Sequence, residues 1–224
     1  MPESVRRGAS GPSAPIVTPH GSAASDPDEP VRIGVFGGTF DPPHHGHLAI
    51  ALEVGHRLRL DRVLWVVAND PWQKSGRVPV TPASVRLALV AEAVDGFAGH
   101  EVCDLEVRRG GPSYTADTLE ELTRLHPGAA LFLVVGSDAA EGLDTWKRAD
   151  DVRALATTVV VDRGGRQGGR PPLGWPHLVV DVPALEISSS DIRSRFGDGR
   201  PVEALVQPRV VAAVRARGLY GCGR

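Results

Sequence analysis

"VRIGVFGGTFDPPHHGHLAI" fills residues 31–50 and changes structural character twice along its length. Its first six residues, Val31–Phe36, form a short apolar run rich in β-branched side chains and ending at glycine, the pattern of a buried strand. From His47 onward, "HLAIALEVGHRLRL" (47–60) repeats its apolar residues at helical spacing. Gly37, Gly38 and Thr39 make the turn that leaves the strand, and Gly46-His47 opens the helix. A strand, a glycine turn and a helix in immediate succession is the opening unit of an α/β fold. Between them lie His44, His45 and His47, three of the chain's eight histidines.

The rest of the chain continues the alternation. Strands are predicted at "RVLWVVA" (62–68), "EVCDLEV" (101–107), "ALFLVVG" (130–136), "ATTVVVD" (156–162) and "HLVVDV" (177–182). A helix is predicted at "PASVRLALVAEAV" (82–94), with Thr81 as N-cap and Pro82 in the first turn. Another follows at "SYTADTLEELTRLH" (113–126), its apolar stripe formed by Leu119, Leu122 and Leu125. "SSSDIRSRF" and "QPRVVAAVRARGL" supply C-terminal helices, and "GGRQGGRPPLGWP" (164–176) reads as a surface loop. Strands alternating with helices imply a mostly parallel sheet with helices on both faces. Ligands of such sheets bind beyond the carboxyl ends of the strands, where the strand order reverses. Neither G-x-G-x-x-G nor G-x-x-x-x-G-K-[ST] occurs, which argues against a dinucleotide oxidoreductase and a P-loop NTPase.

Composition narrows the partners. The 224 residues are 42% hydrophobic and 23% charged with a net charge of −2, ordinary for a globular domain. That balance argues against nucleic-acid binding and against a polybasic membrane surface. No apolar run approaches the roughly 18 residues of a membrane span. Two cysteines, Cys103 and Cys222, are too few for a disulfide framework or a zinc site. Residues 1–30 are rich in Gly, Pro, Ser and Ala, lack the apolar segment of a secretory signal, and are expected to be a disordered tail ahead of a single domain at 31–224. The cytoplasm is the default setting, and a homo-oligomer is left open. Of 25 basic residues only Lys74 and Lys147 are lysines.

Metal, base chemistry and phosphate are the candidates for what the clustered histidines face. Paired glycines let backbone approach a ligand closely, and the N–H groups of a helix start attract anions. His44 and His47, three apart, converge above that start, where an imidazolium would add a charged donor. Zinc would need further ligands, and only Asp41 is nearby. A second constellation favours phosphate: "ISSSDIRSR" (187–195) puts Ser188, Ser189 and Ser190 at another helix start with Arg193 on its first turn. Two anion-ready helix starts suit a polyphosphate that spans both.

These segments resemble a known family. "GGTFDPPHHGH" (37–47) is similar to the GGTFDPxHxGH signature of nucleotidyltransferases, and "ISSSDIR" to their ISSTxIR motif, with Ser190 where threonine is usual. "PWQK", "GGPSYTADTL", "VGSDAAEGLDTW" and "VVAAVRARGLY" extend the resemblance to nicotinate-nucleotide adenylyltransferases over roughly residues 31–220, in matching order. The resemblance implies an α/β, Rossmann-like domain that transfers adenylate from ATP to nicotinate mononucleotide, a step of NAD biosynthesis, with Mg²⁺ carried in on ATP. It implies that His44 and His47 contact the ATP phosphates, and that Ser189, Ser190 and Arg193 hold the β- and γ-phosphates. Lys74 would bridge toward the attacking phosphate. Gly37, Gly38, Thr39, Phe40 and Asp138 would lie against ATP, with Asp138 at the ribose. Tyr114, Trp146 and the backbone of Thr81 would receive the nicotinate nucleotide. A sister enzyme using nicotinamide mononucleotide or phosphopantetheine, and a silent nucleotide-binding regulator, are the competing readings.

Overall fold

Residues 29–71, 80–165 and 167–222 are described by the structure, a computed structural model. Most of the tail expected at 1–30 therefore lies outside the described residues, as does Lys74.

Six strands form one sheet: β1 (Arg32–Gly38), β2 (Arg62–Val67), β3 (His100–Cys103), β4 (Ala130–Gly136), β5 (Thr157–Arg163) and β6 (His177–Val182). Every pairing is parallel and the order is β3-β2-β1-β4-β5-β6. Val35 lies opposite Leu64 on one side and Leu133 on the other. Alternate residues of each strand enter opposite cores, as the pleat requires. Ile33, Val35, Leu131 and Leu133 pack beneath α4 (Thr115–Leu125) and α6 (Ala149–Leu155). Phe36, Trp65, Phe132 and Val161 pack on the opposite face, beneath Ile50, Ala51 and Val54 of α1 (His45–Arg57) and Val90 and Val94 of α2 (Ala83–Val94). A third cluster joins Leu89 of α2 to α7 (Ser189–Asp198) and α8 (Pro208–Ala216) through Ile192, Phe196, Val210 and Val214. The chain is thus one α/β domain with helices on both faces of the sheet. From β1 it builds outward to β3 and then returns to β4, so the order reverses between the carboxyl ends of β1 and β4.

The structure corrects three local expectations. The segment 101–107 is not one strand: β3 stops at Cys103, and α3 (Leu105–Arg109) follows. That turn buries Leu105 and brings the Glu106 carboxylate under the Thr118 hydroxyl, which donates to it at 2.6 Å while accepting from Arg109 at 2.9 Å. A continued edge strand would leave the buried Glu106 without that donor. The N-cap of α2 is Pro82 rather than Thr81; the Thr81 N–H donates instead to Asp41, and its carbonyl accepts from Arg86. Leu119 and Leu122 are fully buried, but Leu125, on the last turn of α4, is exposed. Short helices α5 (Ser137–Ala140) and α6, joined by a 3₁₀ turn at Leu143–Thr145, fill a stretch where the sequence shows no clear period. No helix among the described residues is long and apolar enough to cross a membrane.

Candidate active site

A glycine turn can be open because a ligand needs the space or because a neighbouring side chain does. Here the two glycines differ. A Cβ on Gly37 would meet nothing within 4 Å, whereas one on Gly38 would lie 2.7–3.0 Å from the Phe40 ring. Phe40 holds a left-handed backbone (φ +50°), which costs a bulky residue roughly 1–2 kcal/mol. Its buried ring offsets that cost by packing edge-on to Phe36 and beside Trp65, with centroids 5.5 and 5.3 Å away. Phe40 therefore serves as the anchor that pulls the loop onto the sheet.

That anchor also braces His47, whose ring stands edge-on to Phe40 at 5.0 Å and stacks on the His44 ring at 3.7 Å. The His44 backbone N–H donates to Nδ1 of His47 at 3.2 Å. A neutral imidazole has one acceptor nitrogen and one donor, so this bond assigns the proton of His47 to Nε2. His44, by contrast, is buried, and its Nδ1 has no hydrogen-bond partner among the described residues. Burial first, then the positive charge of Arg163 and then that of His45, pull its pKa down to about 4. The imidazolium expected at this position is therefore absent for His44 near neutral pH.

The depressed value carries a stability consequence. The unfolded chain takes up a proton near pH 6.5, while folded His44 resists it until about pH 4. Stability should fall as the pH drops through that window, by about 2 kcal/mol between pH 7 and pH 5. Burial lowers the pKa of His100 as well, so the slope of the intact protein contains both contributions. Urea unfolding at the two pH values should give a shallower pH slope for His44→Gln than for the parent. Equal slopes would show that His44 is not held neutral by the fold.

The loop is tied down from three directions. Asp41 is buried; its carboxylate accepts from the Tyr220 hydroxyl at 2.8 Å and from the Thr81 N–H at 3.2 Å. Burial and the adjacent Asp41 carboxylate push the Tyr220 phenol well above its usual range, so its hydroxyl stays a donor. Arg86 of α2, 1% exposed, donates to the carbonyls of Thr39, Ala68, Asn69 and Thr81 at 2.7–3.1 Å. From α7, Arg193 donates to the Asp41 carbonyl at 2.7 Å and the Ser189 hydroxyl to the Pro42 carbonyl at 2.9 Å. Ser188 caps α7 by accepting from the Asp191 N–H, and Ser190 lies within 3.3 Å of Arg193. The loop that runs into the α1 start is thus hydrogen-bonded to the α7 start.

Beside that loop, at the carboxyl ends of β1, β2 and β4, is a cavity of about 240 Å³ lined in part by Gly37, Gly38, Thr39, Ser113, Thr118 and Trp146. It occupies the point where the strand order reverses, the expected ligand position. Asp138 is exposed on α5 directly after β4, next to the lining residues Gly136 and Ala139. Tyr114 lies between the lining residues Ser113 and Thr115, and the Lys147 ammonium sits 3.9 Å over its ring. His44, His47, Ser189, Ser190 and Arg193 are brought together around residues 37–42; Tyr114 and Trp146 stand on the α4 side of the cavity. Asp41, Arg86 and Tyr220 were not identified from the sequence as parts of this loop's support. Arg86 did leave a signal, since it lies on the same helical stripe as Leu89, Val90 and Ala93 and so had to be buried.

Comparison with known proteins is consistent along the chain. Residues 35–195 match the cytidylyltransferase-like family model. A protein of Corynebacterium kroppenstedtii named probable nicotinate-nucleotide adenylyltransferase is 42% identical over 192 residues, covering 84% of this chain and 90% of the relative. One of Streptomyces coelicolor with the same name is 42% identical over 187 residues, covering 82% and 98%. The Plasmodium falciparum nicotinic acid mononucleotide adenylyltransferase complexed with NaAD shares the fold, with a TM-score of 0.68 at 17% identity over 84% of this chain and 97% of that one.

Proposed function

Because the chain belongs to the nicotinate-nucleotide adenylyltransferase family, we propose that it transfers adenylate from ATP to nicotinate mononucleotide, giving deamido-NAD and pyrophosphate. The observation that carries this reading is the joining of the α1 and α7 starts to a single loop, through Ser189 on Pro42 and Arg193 on Asp41, beside the cavity at the strand reversal.

In the reaction a phosphate oxygen of the mononucleotide forms a bond to the α-phosphorus of ATP. The bond from that phosphorus to the β-bridging oxygen breaks, and its electron pair leaves with pyrophosphate. The nucleophile is already ionised at neutral pH, so no general base is required. The protein's task is to position two anions and to receive the charge that spreads over the α-phosphoryl oxygens. Alignment of this kind is worth about 7–11 kcal/mol in well-oriented reactions. His47 is suited to the α-phosphate, since its Nε2 carries the donor proton. Neutral His44 contributes a second donor beside it. Ser189, Ser190 and Arg193 take the β- and γ-phosphates at α7, and Lys74 is assigned to the attacking phosphate. Gly37, Gly38, Thr39 and the Phe40 backbone form the floor under the nucleotide, and Asp138 meets the ribose. Mg²⁺ carried on the triphosphate would offset part of its charge. Asp41, the carboxylate closest in sequence to the histidines, is already engaged by Tyr220 and Thr81, so we give it no role in holding that ion. The cytoplasm, where ATP is available, is the setting we assign.

Tyr114 and Trp146 supply the aromatic surfaces for the pyridine ring, and the start of α2, after Thr81 whose own N–H is taken by Asp41, favours its carboxylate. An amide would add an N–H₂ group that such donors leave unpaired. Pyrophosphate release should therefore show kcat/KM at least tenfold higher for nicotinate than for nicotinamide mononucleotide, a difference of about 1.4 kcal/mol or more. Equal turnover of the two would move the chain to a dual-specificity or nicotinamide enzyme.

A further inference from the structure

Arg163 ends β5, one strand beyond the β1–β4 reversal, at the carboxyl edge where the phosphates are assigned. Two registers fix its direction. Along β5, Val159 and Val161 point into the core beneath α1, and period-two alternation puts Arg163 on that same face. Across the sheet, Arg163 pairs with Val182 of β6, which is buried in the same cluster. A side chain on that face, past the end of the strand, enters the space before the α1 start. Its charge is felt there, being second only to burial among the causes that lower the His44 pKa.

Arg163 is also exposed, and among the described residues its guanidinium has no hydrogen bond or ion pair. Arg193 differs, being held by the Asp41 carbonyl and Ser190, and Arg170 is paired with Asp162 at 2.6 Å. An arginine fork presents two parallel donors that match phosphate oxygens. Moving along the sheet from the cavity, β5 is the first strand met on the way to α7, so a triphosphate whose α-phosphate lies near β1 extends its β- and γ-phosphates past Arg163.

On the reading of the site as an adenylyltransferase centre, we propose that Arg163 is a further catalytic residue: it binds the β- and γ-phosphates of ATP opposite Arg193 and receives the charge of the departing pyrophosphate. Arg163 then acts on the triphosphate and not on the adenylate or the acceptor.

Calorimetric binding of ATP and of AMP to the full chain separates these contributions. Arg163→Ala should weaken ATP at least tenfold and leave AMP within about twofold, with the KM for nicotinate mononucleotide little changed. Arg163→Lys, which keeps the charge but loses the fork, should fall between Ala and the parent. In the same variants the His44 titration followed by NMR should move upward in Ala and stay near the parent value in Lys. Unchanged ATP affinity in Arg163→Ala, or equal losses for ATP and AMP, would overturn the assignment, as would an unmoved His44 titration. Failure of the parent to bind ATP at all would overturn the adenylyltransferase reading along with it.

Discussion

His47→Ala is expected to lower kcat by roughly 10²–10³, with a smaller rise in the KM for ATP, the pattern of a donor that counts most in the transition state. The direction follows from the bond between the His44 N–H and His47 Nδ1. With Nδ1 accepting, the proton is committed to Nε2, and the ring is held in place by stacking on His44 and edge packing on Phe40. A donor fixed in this way pays little reorganisation when charge builds on the α-phosphoryl group, and one such donor is worth about 2.7–4 kcal/mol. His47→Gln places an amide donor near the old Nε2 and should recover part of the loss, whereas His47→Asn, whose amide lies nearer the old Nδ1, should not. Steady-state kinetics on the three variants would settle this. An unchanged kcat with a raised KM would make His47 a ground-state binder.

Arg86→Ala is expected to cost about 4 kcal/mol of stability, taking roughly 1 kcal/mol for each of the four carbonyls that lose a buried donor. Against a typical total of about 5–15 kcal/mol this is a large fraction. Arg86 connects three segments: the Thr39 turn, the exit of β2 at Ala68 and Asn69, and the approach to α2 at Thr81. Losing it should therefore loosen the loop at residues 37–42 before the sheet. Burial already pulls the Arg86 pKa down, while the Asp41 carboxylate works to hold it up, so a neutral replacement would also remove a charge that the loop is built to satisfy. Urea denaturation of Arg86→Ala and Arg86→Lys tests this. Lysine, with one compact ammonium, should recover only part of the loss, and a cost under 1 kcal/mol for alanine would show that the carbonyls find other partners.

Legibility in the sequence followed the range of the interactions. Strands such as Ala130–Gly136 and His177–Val182 appear at their expected positions because short, mostly apolar runs bounded by glycine or proline have few other stable states. The helix starts at α1 and α7 were legible for a similar reason, since capping chemistry acts over three or four residues. The strand expected at 101–107 broke because Glu106 takes its partner from α4, and no local pattern carries that information. Likewise the contact from Tyr220 to Asp41 spans 179 residues, and the neutrality of His44 depends on burial and on Arg163 from a distant strand. Motif and spacing pointed to the residues we assign to phosphate; the scaffold that holds them depended on tertiary contacts.

The most direct measurement is product identification by ³¹P NMR and mass spectrometry after incubating the protein with Mg²⁺, ATP and nicotinate mononucleotide. Formation of deamido-NAD and pyrophosphate in equal amounts, in parallel and only when both substrates are present, is the expected result. Consumption of ATP without a dinucleotide, or a product formed with phosphopantetheine or nicotinamide mononucleotide but not with the nicotinate form, would contradict it.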